Sequence, residues 1–208
     1  MSAPHLLIAL FVVLAMISCR REEKQNTSIP PATAPAPPAT APVASEAFSK
    51  AALEGDLATV KQALAQPDAA NLADPDGRTA LMLASFNGHT EIAALLLDSG
   101  AKIDTRDQTG RTPLMYACSG PNDATVALLL KRGAGVDLAD SEEHWTPLMF
   151  AAAEGHLGVV RLLLAAGANP GAADIDGEDS IMFARSRGFT ELADLIAQAK
   201  ERARATRK

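Results

Sequence analysis

The phrase Gly77-Arg78-Thr79-Ala80-Leu81-Met82 returns as Gly110-Arg111-Thr112-Pro113-Leu114-Met115 and as His144-Trp145-Thr146-Pro147-Leu148-Met149. It recurs, altered, as Gly177-Glu178-Asp179-Ser180-Ile181-Met182. Thr79, Thr112, Thr146 and Asp179 stand 33, 34 and 33 residues apart. A fixed period of that size belongs to a stack of supersecondary units, none of which buries its apolar face alone. The period constrains the chain to a binding scaffold and names no partner.

Each phrase opens a unit with one internal plan. Thr79 to Phe86 is an apolar stretch, broken by Asn87-Gly88-His89-Thr90. Glu91 to Ser99 follows, with Ile92, Leu95, Leu96 and Leu97 at helical spacing. Gly100 falls just past the last periodic residue, where a helix C-terminus favours glycine. Lys102 to Gly110 is polar and turn-rich. The plan is helix, tight turn, helix, then an outstretched hairpin-like finger. Thr at a helix start accepts a backbone N–H, and Pro beside it is pre-set for the first turn.

These residues resemble the ankyrin repeat. Its Thr-Pro-Leu opening, Gly-His loop and Gly-Ala exit are matched at Thr112-Pro113-Leu114, at Gly88-His89 and Gly155-His156, and at Gly100-Ala101, Gly133-Ala134 and Gly167-Ala168. The expected fold is all-α, an ankyrin-repeat solenoid of about five helix-turn-helix units over residues 46–200. The units read 46–73, 74–106, 107–140, 141–173 and 174–200, with atypical first and last units because a stack needs polar outer faces. The third repeat should deviate most. Pro121 stands where its neighbours have Gly88 and Gly155, and its finger has one extra residue and His144 in place of Gly.

The resemblance also implies where a partner would touch. In ankyrin proteins partners lie along finger tips and the concave face of the first helices. Those positions are Pro75, Asp76 and Arg78; Gln108, Thr109 and Arg111; and Glu142, Glu143 and Trp145. Phe86, Asn87, Ser119, Gly120, Ala153 and Glu154 continue the face. Trp145 is the only Trp, and Trp and Arg dominate interface energies. Either it meets the partner or it packs along its own finger.

The first 19 residues are a separate object. Leu6 to Ile17 is an apolar run of 12, short for a bilayer span of about 20 residues and typical of a secretory signal. It ends in Met16-Ile17-Ser18-Cys19, which resembles a bacterial lipobox and implies acylation at Cys19. No Lys or Arg precedes the run, and Arg20-Arg21 follows it, so an uncleaved anchor or a plain cleaved signal are the alternatives. Residues 20–45 carry six prolines between Pro30 and Pro42 and read as a disordered linker. At roughly 3.1 Å per residue it would reach about 80 Å. Residues 201–208 read as a basic tail.

Charge narrows the partner. Residues 46–199 hold 22 acidic and 11 basic side chains, which argues against nucleic acid. Fingers three and four hold Asp137, Asp140, Glu142, Glu143, Asp174, Asp176, Glu178 and Asp179 with no Lys or Arg inside either segment. Such a patch suits a basic partner surface.

No catalytic pattern is present: no His-Glu-x-x-His, Walker loop, Gly-x-Ser-x-Gly or Cys-x-x-Cys. Met82, Met115, Met149 and Met182 form a ladder that reads as core rather than a copper site, since ligating sulfurs must converge on one ion. Asp174-Ile175-Asp176-Gly177-Glu178-Asp179 has the look of a calcium loop, but lacks the 12-residue spacing that ends in Glu. No cofactor or metal is expected, and Cys118 reads as a small buried hydrophobe. The expected protein is a monomeric, non-enzymatic, lipid-anchored scaffold facing a bacterial periplasm and binding another protein. A structural envelope attachment protein and an enzyme accessory or inhibitor module are the alternatives.

Overall fold

The structure, a computed structural model, describes residues 41–206. The expected signal segment, Cys19 and residues 20–40 of the expected linker lie outside the described residues.

Among the described residues, ten α-helices come in five pairs. They are α1 (Ala41–Glu54) and α2 (Leu57–Ala63), α3 (Ala80–Phe86) and α4 (Thr90–Asp98), α5 (Pro113–Cys118) and α6 (Asp123–Lys131). Then come α7 (Pro147–Glu154) and α8 (Leu157–Ala165), and α9 (Ser180–Ser186) and α10 (Thr190–Thr206). A single 3-10 turn lies at Ala69–Asn71, and no strand occurs among the described residues beyond isolated bridges at Ala73–Thr79 and Ala173–Asp179. First helices pack on first helices down the stack, and second on second. The helix from Ala41 begins inside the segment read as linker. The one ending at Thr206 runs through most of the segment read as a tail.

The inner helices span six to nine residues, whereas an isolated helix needs about 12–15 to be marginal in water. Stacking therefore stabilises them. Leu96, Leu129, Leu163 and Ile196 occupy one position in successive repeats, and all are 0% exposed. Burying each such side chain contributes about 1.5–3 kcal/mol. Ala84, Ala117, Ala151, Ala152 and Ala184 are also fully buried, so the first helices approach closely.

The threonine starts are reciprocal caps. Thr79, Thr112 and Thr146 Oγ1 accept the N–H of Met82, Met115 and Met149 at 3.4–3.5 Å. The methionine sulfurs accept the threonine N–H at 3.4 Å in return. This is a capping box with thioether replacing the usual Glu or Gln. These three methionines are 0–1% exposed. Met182, expected in the same core ladder, is 49% exposed, because no repeat follows to cover it. Asp179 caps that last repeat instead, accepting from Ile181 and Met182 at 3.1 and 3.0 Å.

The turn of the third repeat is built differently from those of its neighbours. Gly88, Gly155 and Gly188 take left-handed φ of 71°, 77° and 83°, which proline at position 121 cannot adopt. Asn122 then ties the altered turn down, its Nδ2 donating to the Ser85, Phe86 and Ala117 carbonyls at 3.3, 2.9 and 3.3 Å. His144 takes the left-handed place of the finger glycines at φ 59°.

Candidate functional site

Each finger is shaped by one aspartate. Asp74 Oδ1 accepts the N–H of Asp76 and Arg78, Asp107 Oδ1 those of Thr109 and Arg111, and Asp174 Oδ1 those of Asp176 and Glu178. Asp140 Oδ1 accepts from Glu143 and Trp145, one residue further along because that finger is longer. Fingers then couple. Gln108 N–H donates to Asp76 O at 3.1 Å, Ser141 to Thr109 O at 2.9 Å and Ile175 to Glu143 O at 3.1 Å. Below them, Asn71, Asp104 and Asp137 accept the N–H of Lys102, Gly135 and Asn169 in the following repeat. The fingers are thus held as one hydrogen-bonded row.

In the loop that resembles a calcium site, Asp174 Oδ1 accepts the backbone N–H groups of Asp176 and Glu178 in its own finger.

Where the fingers meet the first helices, cationic and aromatic side chains interlock. Arg78 Nε bonds Asp74 Oδ2 at 2.8 Å, and its Nη2 lies 2.9 Å from Asp76 Oδ2. Burial works against the Arg78 charge, but these two carboxylates outweigh it and hold its pKa up. Phe86 meets Tyr116 edge-on at 6.3 Å. The Tyr116 hydroxyl donates to Asp107 Oδ2 at 2.8 Å. Burial, and then that bond beside a negative charge, push the Tyr116 pKa up. The Arg111 guanidinium lies over Phe150 at 5.5 Å. Trp145 packs on Phe150 at 5.2 Å and on Phe183 of the last repeat at 4.5 Å.

The expected contact residues are brought to this face unequally. Asp76, Asn87, Glu142, Glu143 and Glu154 are exposed, and Phe86, Arg111, Ser119 and Trp145 are half-buried. Asn87 Nδ2 donates to Leu53 O at 2.6 Å, and Ser119 Oγ to Met115 O at 3.2 Å. His89 Nε2 donates to the same Leu53 carbonyl at 3.0 Å, as a loop residue would. Trp145 packs on Phe150 of the helix that follows it and on Phe183 of the next repeat, and keeps part of its surface in solvent. Ala153, expected on the face, is buried at 2%.

The acidic patch of fingers three and four is smaller than its sequence suggests. Asp140 is 4% exposed and turned inward on backbone N–H groups, 4.0 Å from Arg111 Nε. Asp179 bonds Lys200 Nζ at 2.6 Å, so two of the eight carboxylates leave the patch. Burial opposes the Asp179 charge, but Lys200 and the Met182 and Ile181 N–H groups win and lower its pKa.

Sequence reasoning missed Tyr116, Phe150 and Phe183. They share one repeat position, four residues after the cap, and that period was the signal available. Cys118 is fully buried, and burial pushes its thiol pKa up, consistent with a packing role.

Comparison with known proteins agrees with this architecture. The family model described as "Ankyrin repeats (3 copies)" matches residues 48–140 and 122–207. Over 56 residues the chain is 45% identical to the human "Ankyrin repeat domain-containing protein 39", a match covering 27% of this chain and 31% of that relative. Ankyrin repeats are in general protein–protein interaction scaffolds. The periodic caps, the paired helices and the coupled fingers together with these matches show that the chain belongs to the ankyrin-repeat family.

Proposed function

We propose that this protein is a membrane-tethered, extracytoplasmic ankyrin-repeat scaffold that binds another protein through the face where its fingers meet its first helices. The observation that carries the binding reading is the row Arg78, Phe86, Arg111, Trp145 and Phe183. These side chains are each half-buried, so they are held in place yet still reached by solvent. Fixed aromatic and guanidinium groups lose little freedom on binding and form the usual energetic centres of interfaces. The exposed carboxylates of Glu142, Glu143 and Asp176 border the row and would steer a basic partner surface.

Tethering rests on the Ile17-Ser18-Cys19 sequence and the proline-rich segment behind it. A lipid at Cys19 and a proline-rich spacer would hold the repeats away from a bacterial envelope membrane. Affinity purification of the full chain tests both halves of the reading. Trp145→Ala should lose the specific partner while Glu91→Ala on a second helix keeps it. Cys19→Ala should move the protein out of the membrane fraction. A partner retained by Trp145→Ala, or membrane association unchanged by Cys19→Ala, removes the corresponding half.

A further inference from the structure

Arg78 and Arg111 hold the same repeat position, and the structure treats them differently. Arg78 has two carboxylates of its own finger, bonded at 2.8 and 2.9 Å. In the next repeat the first of these, Asp107, is taken up by the Tyr116 hydroxyl at 2.8 Å. The second is replaced by Thr109, whose own hydroxyl bonds Asp107 at 2.8 Å. The Arg111 guanidinium accordingly makes no hydrogen bond to any described residue, and its Nε is buried without a hydrogen-bond partner. Asp140 Oδ2 lies 4.0 Å from that Nε, which offsets charge but is too long for a hydrogen bond.

A guanidinium has five N–H donors in its plane, and leaving a buried donor unpaired is costly. The Arg111 guanidinium carbon lies 5.5 Å from the centre of the Phe150 ring, within cation–π range. The side chain keeps 26% of its surface in solvent, so an incoming group meets its Nη groups rather than the buried Nε. Trp145, against the same Phe150 ring, supplies an apolar wall.

We infer that Arg111 is a carboxylate anchor: it receives an acidic side chain or the C-terminal carboxylate of the bound polypeptide in a bidentate pair, with Trp145 packing against the adjacent residue. This rests on the proposed binding face and names the chemistry at its centre. Planar guanidinium and carboxylate match two N–H to two oxygens, which a lysine cannot reproduce. Beyond the anchor, toward repeats four and five, the polypeptide meets Glu142, Glu143 and Asp176 and carries basic residues there.

The full chain, with its arginine Nε–H groups observed by NMR, is titrated with N-acetylaspartate amide, N-acetylglycine and acetamide. The first probe presents a side-chain carboxylate, the second a main-chain one and the third no charge. The Arg111 signal should move saturably with one or both carboxylates and not with acetamide, while the Arg78 signal stays fixed. A parallel shift of both arginines, or none at Arg111, overturns the anchor. Random twelve-residue peptides with free and amidated ends are then selected on the full chain. Binders should carry an acidic residue or need the free end, and should lose about ten- to hundredfold affinity in both Arg111→Gln and Arg111→Lys. Binders lost in Trp145→Ala but indifferent to both Arg111 variants overturn the anchor and leave the binding face standing. Binders indifferent to Trp145 and Arg111 alike remove the face as well.

Discussion

Asp107 is the residue through which the second finger and the aromatic row are joined, and its removal has a calculable cost. Its Oδ1 accepts the Thr109 and Arg111 N–H groups at 2.9 and 2.8 Å, and its Oδ2 accepts the Tyr116 hydroxyl at 2.8 Å. Tyr116 is 7% exposed, so in Asp107→Ala its hydroxyl loses its acceptor where water has little access, at about 1–3 kcal/mol. The two N–H groups lie at a half-buried turn where water replaces part of the loss, adding roughly 0.5 kcal/mol each. The expected loss is about 3 kcal/mol, or about 6–12 °C in Tm for a domain of this size. Asp107→Asn keeps an oxygen for the turn and disturbs only the tyrosine bond, so it should lose about half as much. Asp76→Ala, removing a side chain 66% exposed, should lose about 0.5 kcal/mol or less. Urea unfolding followed by far-UV circular dichroism and by Trp145 fluorescence measures all three, and two probes guard against stepwise unfolding of the stack. A loss under about 1 kcal/mol for Asp107→Ala, or equal losses for Ala and Asn, would refute the reasoning.

Three further outcomes are expected. Tyr116 is the only tyrosine, so its phenolate absorbance reports one group. Burial and Asp107 raise its pKa, so it should stay protonated past the usual pH of about 10. The stability it contributes is full below that pH and lost above it; ionisation near pH 10 with the fold intact would contradict this. Asp179 has a lowered pKa, burial being outweighed by Lys200 and backbone N–H groups. Its contribution is therefore present above about pH 4 and lost as pH falls through the folded value. Lys200→Met should shrink the stability difference between pH 7 and pH 3, and an unchanged difference would remove the claim. Finally, Met149→Ala should lose about 2–5 kcal/mol in thermal melts, whereas Met182→Ala, at 49% exposure, should lose about 0.5 kcal/mol or less. Equal losses would mean that the terminal methionine is packed like the inner ones.

What could be read in the sequence was whatever repeats. Thr79, Thr112 and Thr146 mark helix starts because a cap is a local backbone need that recurs every unit. Leu96, Leu129 and Leu163 mark the core because each repeat presents the same face to the next. The unread parts depend on pairs that do not repeat. Nothing in the phrase Gly110-Arg111-Thr112 distinguishes Arg111 from Arg78. The difference lies in Thr109 and Tyr116, which together remove the carboxylates that Arg78 enjoys. The methionine ladder was legible as core only while a following repeat existed, which fails at Met182. Asp140 looked like surface charge because finger aspartates sit among exposed acids, although its carboxylate turns inward to shape the longer turn. Trp145 was placed at the base of its finger, but its contact with Phe183 crosses a repeat boundary that single-unit reading does not span.

The central claim is that the finger and first-helix face carries the partner. Photocrosslinking in the protein's own cells tests it most directly, with a photoreactive residue placed singly at Glu142, Glu154, Glu91 or Arg161, all exposed. The first two border the proposed face, and the last two lie on second helices. The account predicts one crosslinked protein from Glu142 and Glu154, absent from Glu91 and Arg161 and lost when Trp145→Ala is added. Crosslinking of a specific protein from Glu91 or Arg161, with none from Glu142 and Glu154, would contradict it.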